Sequence, residues 1–189
     1  MTTNDLNDIL TYEKNIYINS ICYSNGVLKS RIKMEAPYRI WKWQRFSRLS
    51  DYYRCRMYEK RGILKFYYGV MYLFYLRKKN VIGEKLGLEI GTENIGKGLV
   101  VYHYNNVVNS NVIIGENCHI HGTVVIGNNG ITDDAPTIGN NVMIGAGVKI
   151  IGPVVIADNI KIAAGAVVVH SFTESGITIA GVPARKVSK

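Results

Sequence analysis

The stretch IGNNVMIGAGVKIIGPVVIADNIKIAAGAVVV (138–169) decides how this chain reads. Ile138, Ile144, Ile150, Ile156, Ile162 and Val168 fall at six-residue steps. Two positions before each stands another apolar or small residue: Pro136, Val142, Val148, Val154, Ile160 and Ala166. The residue after is often small, as at Gly139, Gly145, Ala157 and Ala163. A period of six suits neither an amphipathic helix nor a hairpin strand. It suits a chain that turns a corner every six residues, so that three flat sides close an 18-residue triangular coil and coils stack into a solenoid. The aliphatic residue points into the prism. The small residue after it is expected at the tight corner, where a small side chain or positive φ is cheapest.

The rhythm extends upstream through Val108, Ile114, Ile120 and Ile126, preceded by Val112, Cys118 and Val124 and followed at two places by Gly115 and Gly127. Ile95-Gly96 and Val101 keep the period with the phase shifted by one. The step that would fall at Thr132 lies in NNGITDDAP (128–136), which reads as a loop extruded between two coils. An ordinary β-sandwich with regular turns is the alternative, and it has no reason to hold one phase over so many steps.

Before Gly83 the texture differs. Pro37 suits a helix start. Ile40, Trp41, Phe46, Leu49, Tyr53 and Met57 predict a helix from Tyr38 to about Lys60. Gly62 breaks it, and a second aromatic helix is expected from Ile63 to about Lys79, its end marked by Arg77-Lys78-Lys79. Upstream of these, one or two helices with a loop near Asn25-Gly26 are expected. The organisation is therefore a helical region 1–82, a solenoid 83–175 and a closing strand with a basic tail 176–189. The fold class is mainly β, a parallel β-helix with an α-helical N-terminal region.

Net charge is +9, and it is localised. Between Lys29 and Asn80 there are 15 Lys/Arg against Glu35, Asp51 and Glu59, which leaves the rest of the chain at about −3. Such a segment can face nucleic acid, an anionic membrane or an acidic substrate. No nucleic-acid-binding motif is present, so nucleic acid is not expected. Cys22, Cys55 and Cys118 show no metal-type spacing and read as reduced thiols. The N-terminus MTTNDLNDIL is unlike a signal peptide, so a cytoplasmic protein is expected.

IGKGLVVYH (95–103), IGENCHIHGTVVIGNN (114–129), IGNNVMIGAGVKIIG (138–152), IAAGAVVV (162–169) and AGVPARKV (180–187) resemble the hexapeptide-repeat acetyltransferases. The branch they resemble is the serine acetyltransferase-like group associated with O-acetylation of capsule, exopolysaccharide and O-antigen. The resemblance covers about 85–189 strongly. It implies a left-handed β-helix, acetyl-CoA as donor and a homotrimer with the donor in the groove between neighbouring solenoids. It implies His103 as general base, by its place after Ile95-Gly96-Lys97-Gly98, with Glu89 as the orienting carboxylate. A histidine titrating near neutrality suits proton removal from a hydroxyl. His121, one nominal coil after His103, is the other candidate base or a wall of the site. His119 lies between inward positions and reads as a solvated surface residue, and His170 as structural. Ala146 and Ala164, one coil apart, match positions that touch the donor. Asn128, Lys161 and Arg185 are further matches, the two cations suiting CoA phosphates. No metal is expected.

The acceptor is read from departures. Serine acetyltransferases carry an aspartate before the catalytic histidine, where this chain has Tyr102. They also carry an Arg-His pair where Asp134-Ala135 precede Pro136. A sugar hydroxyl of a surface polysaccharide precursor is therefore expected, with Tyr102, Tyr104 and the 128–136 loop supplying stacking and hydrogen bonds. Serine is the alternative acceptor, and a non-catalytic scaffold the other class. The basic, aromatic N-terminal region either packs on itself or makes peripheral contact with a membrane.

Overall fold

The computed structural model describes residues 2–17 and 36–188. Contacts divide the chain into two compact units, Met1–Leu86 and Gly87–Lys189. The first holds α1 (Thr3–Ile16), α2 (Ala36–Glu59) and α3 (Gly62–Leu86). α1 starts on a capping box in which Thr2 accepts from the Asp5 amide and the Asp5 carboxylate accepts from the Thr2 amide. It packs on α2 through a buried ion pair, Arg48 Nη2 to Glu13 Oε1 at 2.8 Å, and through Tyr17, whose hydroxyl donates to Gln44 Oε1 at 3.0 Å. Trp43, Ile40 and Leu6 are buried in the same unit.

α2 and α3 form an antiparallel pair seamed by aromatics. Tyr53 stacks on Tyr75 at 5.4 Å, with Phe46 and Tyr68 beside them. α3 runs to Leu86, past the end expected at Lys79. Gly83 keeps helical backbone within α3, and Gly87, whose φ of 61° supplies the left-handed residue, ends it. The three-cation run thus lies on the helix. The expected loop at Asn25-Gly26, and Cys22, fall outside the described residues.

The second unit is a three-sided parallel β-helix. Side one stacks β1 (Leu88–Ile90), β3 (Asn106–Val108), β6 (Val125–Gly127), β9 (Lys149–Ile151) and β12 (Val167–Val168). Side two stacks β4 (Ile113–Ile114), β7 (Thr137–Ile138) and β10 (Val155–Ile156). Side three stacks β2 (Val100–Val101), β5 (His119–Ile120), β8 (Met143–Ile144), β11 (Lys161–Ile162) and β13 (Thr178–Ala180). All these pairs are parallel, and Ile120, Ile144, Ile162 and Ile179 form one buried inward column on side three. The second apolar residue of each repeat, such as Val142, Val148 and Ile160, is also fully buried, which explains why both positions are selected.

At the corners the small residue is required by size. The residue after each inward aliphatic does not take positive φ. Gly145 is small because a Cβ there would lie 2.6 Å from the Ala164 backbone nitrogen of the next coil. Positive φ falls two residues later, at Asn117, Asn141 and Asn159, with φ of 55°, 56° and 61°. Asparagine tolerates that region. Its side chains also form a ladder here: Asn117 Nδ2 donates to Asn141 Oδ1, and Asn141 Nδ2 to Asn159 Oδ1, both at 3.3 Å. Coil-to-coil approach, rather than backbone handedness, sets the small residue.

The 128–136 loop follows β6 and carries no strand. Ile113 pairs with Thr137, a step of 24 residues, where Thr137 to Val155 is 18. The loop is therefore a six-residue insertion into one coil. At the far end β13 is the closing strand. The basic tail turns back as β14 (Arg185–Ser188), antiparallel to β13, and covers the edge of side three.

Candidate active site

His103 lies just beyond β2, at the corner between sides three and one. Inward Val101 and Val108 stand seven positions apart, whereas Ile120 and Ile126, at the equivalent corner, stand six apart. The turn Tyr102-His103-Tyr104-Asn105 thus holds one residue more than its counterparts, with Asn105 at φ 60°. Asn106 braces it, its buried Nδ2 donating to the His103 carbonyl at 2.8 Å and its Oδ1 accepting from the Val124 amide at 3.0 Å. The longer corner makes the first full coil a 19-residue one on side three, where Val100 pairs with His119. As a result His103 stands over Gly122, where a Cβ would come within 2.9 Å of the His103 Cβ. His121 is level with Tyr102 instead, whose amide donates to the Ile120 carbonyl at 2.9 Å. The nominal stacking of His103 on His121 is replaced by this offset.

Four rings meet here. Tyr102 stacks on His121 at 4.6 Å and 11°. The Tyr102 hydroxyl and His119 Nδ1 share a hydrogen bond of 2.9 Å, its direction set by the imidazole tautomer. His103 and His121 lie 6.4 Å apart, centroid to centroid. His119 is therefore not the solvated residue expected from its outward position. It faces out of the prism, but it is half-buried and held by Tyr102. Alternation alone gave its direction, and the Tyr102 side chain above it supplied the cover.

Burial lowers the pKa of both His119 and His121 below the ordinary 6.5, and each also feels a neighbouring imidazole: His121 acts on His119, and His103 on His121. Burial raises that of the Tyr102 hydroxyl. Because folding depresses the two histidine values, the folded state favours the neutral rings. Their contribution is complete above about pH 6.5 and is lost as the pH falls through the depressed folded values. The melting temperature is thus expected to fall between about pH 7 and pH 5, and His119→Gln with His121→Gln should flatten that fall. A double variant with the wild-type slope would remove these rings as its cause.

Glu89 does not close a pair with His103. It projects outward from the middle of β1, opposite Val107, and makes no hydrogen bond or ion pair among the described residues. Since the pair is open, Glu89→Gln is expected to slow turnover by less than about ten-fold, below the range of a positioned acid–base group. A larger loss would mean that the carboxylate swings onto His103 when substrate binds.

Below His103 a column of small residues continues the corner: Gly122, then Ala146, then Ala164. The Gly147 amide donates to the Gly122 carbonyl at 2.9 Å, and the Gly165 amide to the Ala146 carbonyl at 2.8 Å. Ala146 and Ala164 are exposed and one coil apart, so a linear ligand can lie against the backbone there. Lys161 and Arg185 are exposed on side three, on β11 and β14. Tyr104 shares the His103 turn. Asn128 does not join this group within one protomer, because β6 carries it to the opposite end of side one, where the 128–136 loop also leaves the coil. Cys118 is an inward core residue whose thiol burial pushes up to about 12, so it is chemically quiet. Among the described residues no group of three or more His, Cys, Asp or Glu could hold a metal ion. His170 is exposed just past β12.

Residues 135–170 match the bacterial transferase hexapeptide family (six repeats). A search of curated proteins found no match. Among solved structures, soybean serine acetyltransferase apoenzyme is 22% identical with a TM-score of 0.71, over 97% of this chain and 69% of that one. Serine acetyltransferase from Brucella abortus strain S19, in complex with coenzyme A, is 24% identical with a TM-score of 0.73, over 99% and 69%. Neisseria gonorrhoeae serine acetyltransferase, in complex with serine, is 25% identical with a TM-score of 0.67, over 98% and 70%. The fold and the repeat are of the kind found in hexapeptide-type acyltransferases. Its architecture, a left-handed β-helix after N-terminal helices, is that of the serine acetyltransferases.

Proposed function

We propose that this protein is an acetyl-CoA-dependent O-acetyltransferase with His103 as its general base. The observation that carries the reading is the lengthened corner, which sets one exposed imidazole at the head of a column of small residues. In the reaction the acceptor hydroxyl gives its proton to His103 while its oxygen attacks the thioester carbonyl. The tetrahedral centre collapses, the C–S bond breaks, and the proton passes to the departing sulfur. An acetyl ester and free CoA result. The column from Gly122 to Ala164 lets the pantetheine arm lie close, and Lys161 and Arg185 suit its phosphates. The donor assignment is supported by the Brucella neighbour, which holds coenzyme A. A homotrimer, as is common for transferases of this fold, would bring a second solenoid against that column and Asn128 of one copy toward the groove.

Two acceptors are carried forward, in the reverse of the order expected from sequence. Serine comes first, because the similar enzymes act on it and the Neisseria structure holds it. A sugar hydroxyl comes second, favoured by the composition of the corner. The ring contacts and hydrogen bonds linking Tyr102, His119, His121 and His103 include no carboxylate or cationic side chain to match a zwitterion. Thiol release from acetyl-CoA, measured with serine and with a panel of sugars and oligosaccharides, decides between them. Turnover on serine alone establishes the first, and turnover on a saccharide alone the second. Release on neither class would sink the O-acetyltransferase reading.

A further inference from the structure

The N-terminal aromatics fall into two sets. Phe46, Tyr53, Tyr68 and Tyr75 contact one another between α2 and α3. A second set faces out: Ile63, Phe66, Tyr67, Val70, Leu73 and Phe74, all on α3 and all exposed, with Ile63 at 84% and Phe66 at 74%. Their spacing, in steps of one, three and four, places them on a single helical stripe. Buried side chains are nearly absent from α3, where only Gly83 and Leu86 are fully covered. A contiguous apolar face of this kind marks a binding surface.

Charge brackets the stripe. Arg61 stands at its N-terminal end, and Arg77 and Lys78 continue it at the other. None of these three makes an ion pair with a described residue. Lys78 Nζ lies 4.9 Å from the Phe74 ring centroid and 5.9 Å from that of Phe46. Beside it, between α2 and α3, a notch of about 420 Å³ is lined by Lys42, Phe46, Phe74, Arg77 and Lys78. A second, mostly apolar groove of about 450 Å³ lies toward the helix start, lined by Met57, Phe66, Val70 and Leu73. Exposed apolar side chains flanked by cations without ion-pair partners among the described residues suit contact with an anionic lipid surface, where each cation adds attraction. No described helix is long and apolar enough to cross a membrane.

We propose that this outer face of α3 docks on an anionic lipid surface, with Phe66, Val70 and Leu73 entering the acyl boundary and Arg61, Lys78 and Arg77 meeting lipid phosphates. A second copy of the chain is the competing occupant, and the charges argue against it. The face carries one exposed carboxylate, Glu84, against Arg61, Arg77 and Lys78, so it keeps a net positive charge that opposes pairing with itself.

The test is co-sedimentation of the full chain with phosphatidylcholine vesicles, with and without phosphatidylglycerol. Wild type is expected to pellet with the anionic vesicles at low salt and to be released by high salt. Arg77→Glu with Lys78→Glu should lower partitioning by at least about thirty-fold, from roughly five-fold per cation near an anionic surface. Phe66→Ser with Leu73→Ser should also release the chain, and neither pair should change the melting profile, because all four side chains are exposed. Both variants should keep any turnover on soluble acetyl-CoA, so failure here is separable from failure of the acetyltransferase reading. The proposal is overturned if wild type stays in the supernatant, binds neutral vesicles equally well, or binds no better than either variant. It is equally overturned if light scattering gives wild type a larger mass than both variants, which would make the stripe an interface between copies.

Discussion

Changing His103 to alanine is expected to lower kcat for acetyl transfer by about 10²–10⁴-fold, the value of a positioned general base. The side chain is exposed at a corner, so the thermal transition should stay within a few degrees of wild type. Its backbone is fixed independently by Asn106, which donates to the His103 carbonyl, and the variant keeps that contact. KM for acetyl-CoA should change little, because the column from Gly122 to Ala164 is untouched. His121→Ala is the control. That ring lies beside Tyr102 rather than over the small-residue column, so its loss should cost less. If His121→Ala abolished turnover and His103→Ala did not, the two roles would be exchanged. Equal thiol release by wild type and His103→Ala on a good acceptor would remove His103 as the base.

The largest expected effect on stability is at Ile144, changed to alanine. Ile144 is fully buried on side three, in register with Ile120 in the coil before and Ile162 in the coil after. Removing its side-chain carbons leaves a cavity in the middle of the stack, which cannot collapse because the coils above and below are fixed by parallel ladders. A cost of about 2–5 kcal/mol is expected. For a unit of this size that corresponds to a fall in melting temperature on the order of 10–20 °C. Circular dichroism melts would show it. A fall of only a few degrees would mean that the solenoid relaxes locally, as a repeat array can when neighbouring coils uncouple.

Much of the solenoid was legible because each coil repeats the same physical problem. One inward aliphatic and one small contact residue per side are demanded by close packing between coils, and the six-residue rhythm records that demand directly. The extruded loop was legible as a missed step at Thr132. The end of α3 was misplaced because Arg77-Lys78-Lys79 resembles a C-terminal charge signature, while the signal that ends the helix, Gly87, lay in what looked like the start of the solenoid. The sequence left both small size and backbone handedness open as the reason for Gly145, and approach of the Ala164 backbone decides for size.

The candidate site was legible as residue types and much less as an arrangement. The sequence by itself determined the coil period, the inward column, the aromatic and cationic character of the helices and the presence of His103 among a few histidines, since each is a local or periodic demand written into single positions. The one-residue phase shift between Val101 and Val108 was also legible, but only tertiary structure placed it in the Tyr102–Asn105 corner and showed the 19-residue coil that follows on side three. That shift sets His103 over Gly122 and puts Tyr102 against both His119 and His121. Tertiary structure also decided which aromatics of α3 are covered and which form an open stripe. The physical reason is the same in each case: a side chain's neighbours across coils or helices depend on the sum of all the turn lengths between them, and no single residue type reports that sum.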